Sequence, residues 1–238
     1  MKAFLLAAGL GTRLRPLTDK IPKCLVPING KSLLLIWLEL CQHHGITEVL
    51  INTHHLAEQV NEFIENHKSK FQFLTIRQTH EPVLLGSAGT LIANRKFVEN
   101  ESLFLILYVD NLTNANLTEL IKFHHRHGDL FTMGLFRTDN PTSCGIAELD
   151  GNGKVISFVE KPQKPKSNLA AAGVYVASPK IFRFFNKGQR EDFGRRLDLG
   201  FHILPKLVGH MYGYLINEFL LDIGDMESYQ KAQREWLG

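Results

Sequence analysis

The chain has 238 residues, of which 44% are hydrophobic and 21% are charged, a balance typical of a globular protein with one large core or two small ones. The net charge of +3 at pH 7 is too small to indicate a nucleic-acid-binding surface, and no run of like charges indicates a tail. No hydrophobic run reaches the roughly 20 residues needed to span a membrane, so we expect neither nucleic acid nor membrane as a partner.

The cysteine pattern indicates a reducing compartment. Three widely spaced cysteines, at 24, 41 and 144, do not form a disulfide framework, and none lies in a Cys/His pattern with zinc spacing. The hydrophobic run at 3–10 is short and is followed by Arg13 and Arg15, which is not typical of a secretory signal. We therefore expect a cytoplasmic protein.

The first half of the chain alternates predicted strands and helices. Strands are expected at 2–8, 48–53, 72–78, 103–109 and 130–137. Helices are expected at 31–44, 56–67 and 116–127, with a loop at 84–89 that turns into a short helix. This alternation predicts a parallel sheet covered by helices. The histidine-rich segment 124–127 is interpreted as a solvated helix face, and Phe193-Gly194 as structural.

The second half has a different pattern. Strands at 146–149 and 155–159 flank Asp150-Gly151-Asn152-Gly153, a strong hairpin turn signal. Further strands are expected at 172–177, 212–216 and 219–221, the last two joined by a tight turn at 217–218, and helices at 182–185, 203–208 and 226–236. We therefore expect one α/β domain, 1–238, with a nucleotide-binding half at 1–140 and a half at 141–238 that binds the second substrate.

The loop after the first predicted strand has the composition of a phosphate site. Gly9 and Gly11 allow backbone N–H groups to approach a phosphate closely, and Arg13 and Lys23 add positive charge. Ligands collect at the carboxyl ends of strands in such sheets. The alternative is that Arg13, Arg15 and Lys23 are solvated loop charges.

Two commoner phosphate motifs are excluded. A dinucleotide-binding loop would need a third glycine near Leu14. Gly30-Lys31-Ser32 resembles the end of a P-loop, but the required earlier glycine would stand at the position of Leu25.

Acidic residues follow two predicted strands, at Asp110 and Asp222. Mg²⁺ prefers one or two carboxylates together with substrate phosphates, so the pair predicts a shared magnesium site. Either aspartate could instead cap a turn or helix. Glu160 and Lys161 follow another strand and open a proline-rich loop, where an exposed ion pair is the simpler interpretation from the residues alone.

A family resemblance adds to this interpretation. The stretch Leu6-Ala7-Ala8-Gly9-Leu10-Gly11-Thr12-Arg13-Leu14-Arg15-Pro16-Leu17-Thr18, followed by Pro22-Lys23, resembles the signature of the sugar-1-phosphate nucleotidyltransferases. The resemblance covers nearly the whole chain and continues at Gly86-Ser87-Ala88-Gly89, Asp110, Gly145, Val159-Glu160-Lys161-Pro162, Ala172-Gly173-Val174-Tyr175 and Asp222-Ile223-Gly224. It implies a Rossmann-like mixed, mostly parallel sheet flanked by helices, the glycosyltransferase-A-like nucleotidyltransferase fold, with no left-handed β-helix extension.

The resemblance also implies an enzyme that makes an NDP-sugar and pyrophosphate from an NTP and a sugar 1-phosphate, with Mg²⁺ as cofactor. The catalytic residues would be Arg13, Lys23, Asp110 and Asp222, and the two aspartates would hold the metal. The nucleotide would be bound by Leu6, Ala7, Ala8, Gly9, Gly11, Thr12, Arg13, Lys23, Gly86 and Ser87. The sugar phosphate would be bound by Gly145, Glu160, Lys161 and Gly173.

The substrates are less closely defined. Gly-Ser-Ala-Gly-Thr at 86–90 and Asp-Asn-Leu-Thr at 110–113 are most similar to compact mannose- or heptose-1-phosphate guanylyltransferases, which favours GTP. Ala171 stands where many relatives have an asparagine that touches the sugar. The alternatives are a uridylyl-, thymidylyl- or cytidylyltransferase with another sugar 1-phosphate or a phospho-alcohol, and a catalytically silent nucleotide-sugar sensor. The oligomeric state, including a homo-oligomer, stays open.

Overall fold

The computed structural model of the protein describes residues 1–185 and 196–237, so Phe193 and Gly194 lie outside the described residues. The strands are β1 (Lys2–Leu6), β2 (Pro27–Ile28), β3 (Lys31–Ser32), β4 (Glu48–Thr53), β5 (Thr75–His80), β6 (Phe104–Tyr108), β7 (Asn111–Thr113), β8 (Phe131–Arg137), β9 (Gly145–Leu149), β10 (Val155–Glu160), β11 (Leu169–Ala177), β12 (Met211–Leu215) and β13 (Leu220–Asp222). The helices are α1 (Leu33–His43), α2 (Ala57–His67), α3 (Ser87–Ala93), α4 (Leu117–His127), α5 (Leu199–His202), α6 (Leu204–Leu207) and α7 (Met226–Glu235). Within these residues, no helix has the length and apolar character needed to cross a membrane.

The chain divides into two units that interleave in sequence. Unit 1 consists of Met1–Leu84, Leu107–Ala115 and Glu218–Gly238, and unit 2 of Leu85–Ile106 and Asn116–Asn217. Strand β6 contributes its first residues to unit 2 and its last residues, from Leu107, to unit 1. These units cut the chain at different places from the expected halves at 1–140 and 141–238.

Unit 1 is built on the parallel strands β1, β4 and β5, in which β4 pairs with both β1 and β5. Phe4 and Leu5 in β1 and Ile51 in β4 are completely buried, as expected of parallel strands that are covered on both faces. Helix α1 begins after Ser32, whose Oγ accepts a hydrogen bond from Leu35 N–H at 3.2 Å.

Unit 2 is built on a mixed sheet. Its strands run in the order β10-β9-β11-β6, and β8 pairs antiparallel with β11 and parallel with β12. Phe131 and Met133 in β8 and Val174 in β11 are fully buried, so the core of this unit lies along these two strands. The predicted mixed, mostly parallel sheet flanked by helices is confirmed.

The last two strands, which are joined by the short segment 216–219, do not pair with each other. Strand β12 pairs with β8 in unit 2, whereas β13 pairs antiparallel with β7 in unit 1. The two strands are neighbours in sequence, but each pairs with a segment far away along the chain. Strand β7 was not predicted, because it has only three residues and follows β6 after a short turn.

Two of the three histidines at the end of α4, His124 and His127, differ from the prediction of a solvated face, whereas His125 and Arg126 are exposed as predicted. His124 is only 5% exposed, and its Nδ1 lies 2.9 Å from Oγ1 of Thr132. Nε2 of His127 lies 2.7 Å from the same oxygen. Burial is the main reason why the pKa of His124 is lowered to about 4, and the neighbouring His127 and His125 add to the effect. Polar residue types predict exposure, but α4 packs this turn against β8.

Candidate active site

The loop after β1 is held in place by its buried residues. Gly11 adopts a left-handed backbone with φ of 62° and precedes a 3-10 turn, Thr12–Leu14. Its carbonyl accepts hydrogen bonds from Leu14 N–H at 2.8 Å and from Thr18 Oγ1 at 2.7 Å. Leu14 and Thr18 are buried, whereas Thr12 and Arg13 are exposed. The loop therefore presents its polar residues from a fixed backbone.

Four of the eight predicted nucleotide residues of unit 1 line one groove. The groove is lined by Leu6, Ala7, Gly9, Lys23, Cys24, Val109 and Asp110. Ala8, which lies between Ala7 and Gly9 in the sequence, is buried. This arrangement brings the end of β1, the end of β6 and the turn at Lys23 together in unit 1.

Lys23 is a buried lysine with a single carboxylate as its ion-pair partner among the described residues. It is 7% exposed, and its Nζ lies 2.7 Å from Oδ2 of Asp110. A buried ammonium group is stable only when it is paired and hydrogen-bonded. The alternative that Lys23 is a solvated loop charge is therefore wrong, whereas Arg13 and Arg15 are exposed.

The pairing of β7 with β13 brings the two predicted metal aspartates together. Asp222 pairs with Asn111, and Ile223 N–H donates to the carbonyl of Asp110 at 2.9 Å. Although Asp222 as a residue is exposed, its carboxyl is crowded by neighbouring atoms. This burial raises the pKa of Asp222 to about 6, the Asp110 carboxylate adds to the rise, and Lys23 and Arg13 oppose it.

Gly224 makes room for Arg13. A Cβ atom at Gly224 would lie 2.9 Å from Nη2 of Arg13 and 3.0 Å from Oδ2 of Asp222. The guanidinium therefore lies over a backbone position that has no side chain, two residues after the second aspartate. The sequence motif contains Gly224, but the sequence alone assigned it no role.

The remaining predicted nucleotide residues, Gly86 and Ser87, belong to unit 2. A Cβ atom at Gly86 would lie 2.5 Å from the carbonyl oxygen of Leu197, so only glycine fits there. Ser87 Oγ accepts from Leu199 N–H at 2.7 Å and donates to Oδ2 of Asp198 at 3.2 Å. Since this hydroxyl is already engaged, Ser87 can offer a ligand mainly its backbone.

Glu160 and Gly145 are also brought together in unit 2. They form a cross-strand pair between β10 and β9, and a Cβ atom at Gly145 would lie 2.5 Å from Oε2 of Glu160. A Cβ atom at Gly200 would lie 2.3 Å from the same oxygen. The pKa of Glu160 is raised by burial and then by the Asp198 carboxylate. Sequence reasoning missed Asp198 and Gly200, because nothing in their local pattern indicates Glu160 as a neighbour.

Lys161 and Gly173 occupy unusual backbone positions. Lys161 has a left-handed backbone with φ of 51°, its N–H donates to the carbonyl of Cys144 at 2.9 Å, and its side chain is exposed. Such conformations in non-glycine residues are uncommon and cluster at functional sites. Gly173 lies in β11 where the pairing with β8 shifts register, between Ala171 and Tyr175.

The model of the nucleotidyl transferase family matches residues 2–237. The chain belongs to this family. It is 31% identical to the UTP–glucose-1-phosphate uridylyltransferase of Synechocystis sp., over 98% of this chain and 63% of that protein. It is 33% identical to the mannose-1-phosphate guanylyltransferase catalytic subunit beta of Dictyostelium discoideum, over 76% of this chain and 50% of that protein. The resemblance seen in the sequence is thus confirmed for the family.

The chain spans 63% and 50% of the length of these two relatives. Among solved structures, HddC from Yersinia pseudotuberculosis matches with a TM-score of 0.79 at 24% identity, over 99% of both chains. This likeness shows that the fold is shared.

The carboxylates of this family member fit the predicted magnesium ion. Asp110 and Asp222 would supply hard oxygen ligands, and the raised pKa of Asp222 reflects first the burial of its carboxyl and then the Asp110 carboxylate beside it. Within residues 1–185 and 196–237, the structure contains no group of three or more His, Cys, Asp or Glu side chains that could hold a metal ion. A pair of carboxylates leaves positions for phosphate oxygens and water, which is the usual way in which Mg²⁺ is bound.

Proposed function

We propose that the protein transfers a nucleotidyl group from a nucleoside triphosphate to a sugar 1-phosphate and releases pyrophosphate. The observation that carries this proposal is the cluster in unit 1 of Arg13, Lys23, Asp110 and Asp222 beside the glycine-containing loop. Two cations and two carboxylates next to one groove are the groups that a triphosphate and its metal ion require. The names of the two curated relatives, which describe such transferases, support the same reaction.

In this reaction a phosphate oxygen of the sugar 1-phosphate attacks the α-phosphorus of the triphosphate. The new P–O bond forms as the bond from the α-phosphorus to the bridging oxygen breaks, and pyrophosphate leaves with the electron pair. Such displacements depend on positioning and charge neutralisation more than on a covalent catalyst. The protein therefore needs fixed cations at the phosphates.

Lys23 and Arg13 would supply these charges. Because Lys23 is buried and paired with Asp110, its ammonium is held at the groove before any ligand binds. Arg13 is exposed and lies over Gly224, where it can reach the departing pyrophosphate. Asp110 and Asp222 would hold Mg²⁺, which when bound adds positive charge beside the phosphates.

The sugar 1-phosphate would be bound by residues of unit 2. Glu160, held in a slot between Gly145 and Gly200, would accept hydrogen bonds from sugar hydroxyls. The ammonium of Lys161 would bind the phosphate, and Gly173 would line the sugar pocket. Asp198 next to Glu160 adds a second acceptor of hydrogen bonds in unit 2.

For the substrates we favour GTP with mannose 1-phosphate or heptose 1-phosphate. The name of the Dictyostelium relative supports this choice. The name of the Synechocystis relative supports a second candidate, UTP with glucose 1-phosphate. A cytoplasmic location is part of the proposal, because the three cysteines are all free thiols, as in a reducing compartment.

Pyrophosphate release with Mg²⁺ tests the reaction and its substrates. The assay pairs each of ATP, GTP, CTP and UTP with mannose, glucose and heptose 1-phosphates. We expect the fastest release with GTP and mannose or heptose 1-phosphate. Fastest release with UTP and glucose 1-phosphate would select the second candidate, and no release with any pair would refute the proposed reaction.

Two charge-removing variants test the residues. Asp110→Asn and Lys23→Gln should each lower kcat by about 10²–10³-fold, the usual loss on removal of one electrostatic contact to a transition state. The matched controls are Asp139→Asn and Lys20→Gln, since both side chains are exposed. Wild-type turnover in Asp110→Asn would remove Asp110 from the metal site.

A further inference from the structure

Two polar side chains lie buried where β4 and β5 end in unit 1. Asn52 is 4% exposed and Glu81 is 2% exposed. Asn52 is the partner of Leu6 in the pairing of β4 with β1, and Glu81 directly follows the last residue of β5. Neither residue belongs to the predicted site, yet both lie at the carboxyl edge of the parallel strands, where β1 leads into the nucleotide loop.

A chain of hydrogen bonds connects these side chains to the start of that loop. The N–H of Ala7, the first residue after β1, donates to Oδ1 of Asn52 at 2.7 Å. Nδ2 of Asn52 donates to Oε1 of Glu81 at 2.9 Å. Glu81 is itself fixed through its backbone, since its N–H donates to the carbonyl of Thr53 at 2.8 Å and Nδ1 of His54 lies 2.7 Å from its carbonyl oxygen.

The backbone N–H of Ala7, which can only donate, sets the direction of the whole chain of hydrogen bonds. The side-chain amide of Asn52 has one accepting oxygen and one donating nitrogen, and Oε1 of Glu81 accepts the hydrogen bond. Nδ2 of Asn52 must therefore point to Glu81, and Oδ1 must point to Ala7. A buried polar group that loses its partner is costly, so this orientation is strongly favoured.

We infer that Asn52 and Glu81 are positioning residues that hold the backbone of Ala7 at the nucleotide groove. Leu6 and Ala7 line this groove together with Lys23 and Asp110. If the amide of Asn52 turns over, its NH₂ group faces the N–H of Ala7, and the loop must move away. The inference rests on the proposed function, in which this groove binds the triphosphate.

A charge-exchange cycle tests the pair. Asn52→Asp keeps the acceptor for Ala7 but places two carboxylates against each other. Glu81→Gln replaces the carboxyl group that accepts from Nδ2 of Asn52 by an amide, which can turn its NH₂ group toward Asn52 and so weaken the chain of hydrogen bonds. In the double variant, the new amide at position 81 can donate to the new carboxylate at position 52. That carboxylate can still accept from Ala7, so the chain of hydrogen bonds is restored with the carboxyl group moved to position 52. Asn152→Asp and Glu58→Gln are matched controls at exposed positions.

The measurements are titrations of each variant with Mg²⁺-GTP and Mg²⁺-UTP without sugar phosphate, the KM and kcat for the preferred nucleotide, and the exchange rate of the Ala7 amide. We expect Asn52→Asp to weaken nucleotide affinity and raise KM by about tenfold or more, and Glu81→Gln by a smaller factor. The double variant should bind more tightly than Asn52→Asp, and protection of the Ala7 amide should fall and recover in parallel.

Several outcomes separate this inference from the proposed function. Unchanged affinity and unchanged Ala7 protection in both single variants would overturn the inference alone. A double variant that binds nucleotide no more tightly than the weaker single variant would also overturn the inference alone. The double variant remains informative if Asn52→Asp fails to fold. A wild-type chain that binds neither nucleotide and releases no pyrophosphate with any pair of substrates would overturn the proposed function, and the inference with it.

Discussion

Replacing Gly224 with alanine should move Arg13 and leave the fold intact. The new Cβ atom would lie 2.9 Å from Nη2 and 3.4 Å from Cζ of Arg13. Since ordinary contacts at such a position begin at 3.4 Å, the guanidinium must shift by about 0.5 Å. Arg13 is exposed and its end is flexible, so it can move, and Gly224 is not among the residues with positive φ.

The expected loss follows from the role proposed for Arg13. Removal of one charge contact to a transition state costs about 10²–10³ in rate, and a displacement of about 1 Å can cost about 10². A shift of about half that size should therefore lower kcat/KM by about 10- to 100-fold. Stability should stay the same or rise by about 0.4–1 kcal/mol, because alanine restricts the unfolded chain.

The assay is pyrophosphate release together with thermal unfolding. Gly151→Ala is the matched control, because a Cβ atom at Gly151 would have nothing within 4 Å. In the Arg13→Ala background, Gly224→Ala should cause a much smaller loss, because only the contact of the new Cβ atom with Oδ2 of Asp222, at 3.0 Å, remains. The same loss in both backgrounds would refute the reasoning, and so would a marked drop in melting temperature.

Three further outcomes are expected. Folding lowers the pKa of His124 from 6.5 to about 4, so between these pH values the unfolded chain binds a proton at this histidine that the folded chain does not bind. The free energy of unfolding should therefore fall by at most about 3 kcal/mol as the pH drops from about 6.5 to about 4. Urea unfolding should show a flatter pH profile in His124→Gln, and an unchanged profile would contradict this assignment. In the native protein, iodoacetamide should modify the partly exposed Cys144 well before Cys24 and Cys41, because burial raises the pKa of these two thiols to about 12. Peptide mass mapping identifies the modified cysteines, and equal labelling of all three would contradict the burial of Cys24 and Cys41. Gly200→Ala should displace Glu160, and so raise the KM for the sugar 1-phosphate while leaving the KM for the nucleotide nearly unchanged. Initial-rate kinetics would check both KM values, and equal effects on them would argue against a sugar role for Glu160.

Much of unit 1 could be predicted because its signals are local. The buried strand β1, the glycine loop after it and the two aspartates at strand ends are each visible in a few consecutive residues. Hydrophobic patterns predict strands and helices reliably when burial alone decides them. The errors fall where a distant partner decides. No local signal shows that β13 pairs with β7, and His124 is buried because α4 packs against β8.

The amino-acid sequence alone determines which groups are available: the glycines of the loop, the charges of Arg13 and Lys23, the carboxylates of Asp110 and Asp222, and membership of the nucleotidyl transferase family. It does not show which of them meet. The contact of Ile223 with Asp110, the place of Arg13 over Gly224 and the chain of hydrogen bonds from Ala7 to Glu81 join residues that are far apart in the sequence. Such contacts arise only when strand pairing and the burial of side chains close long loops, and no short stretch of sequence contains that information.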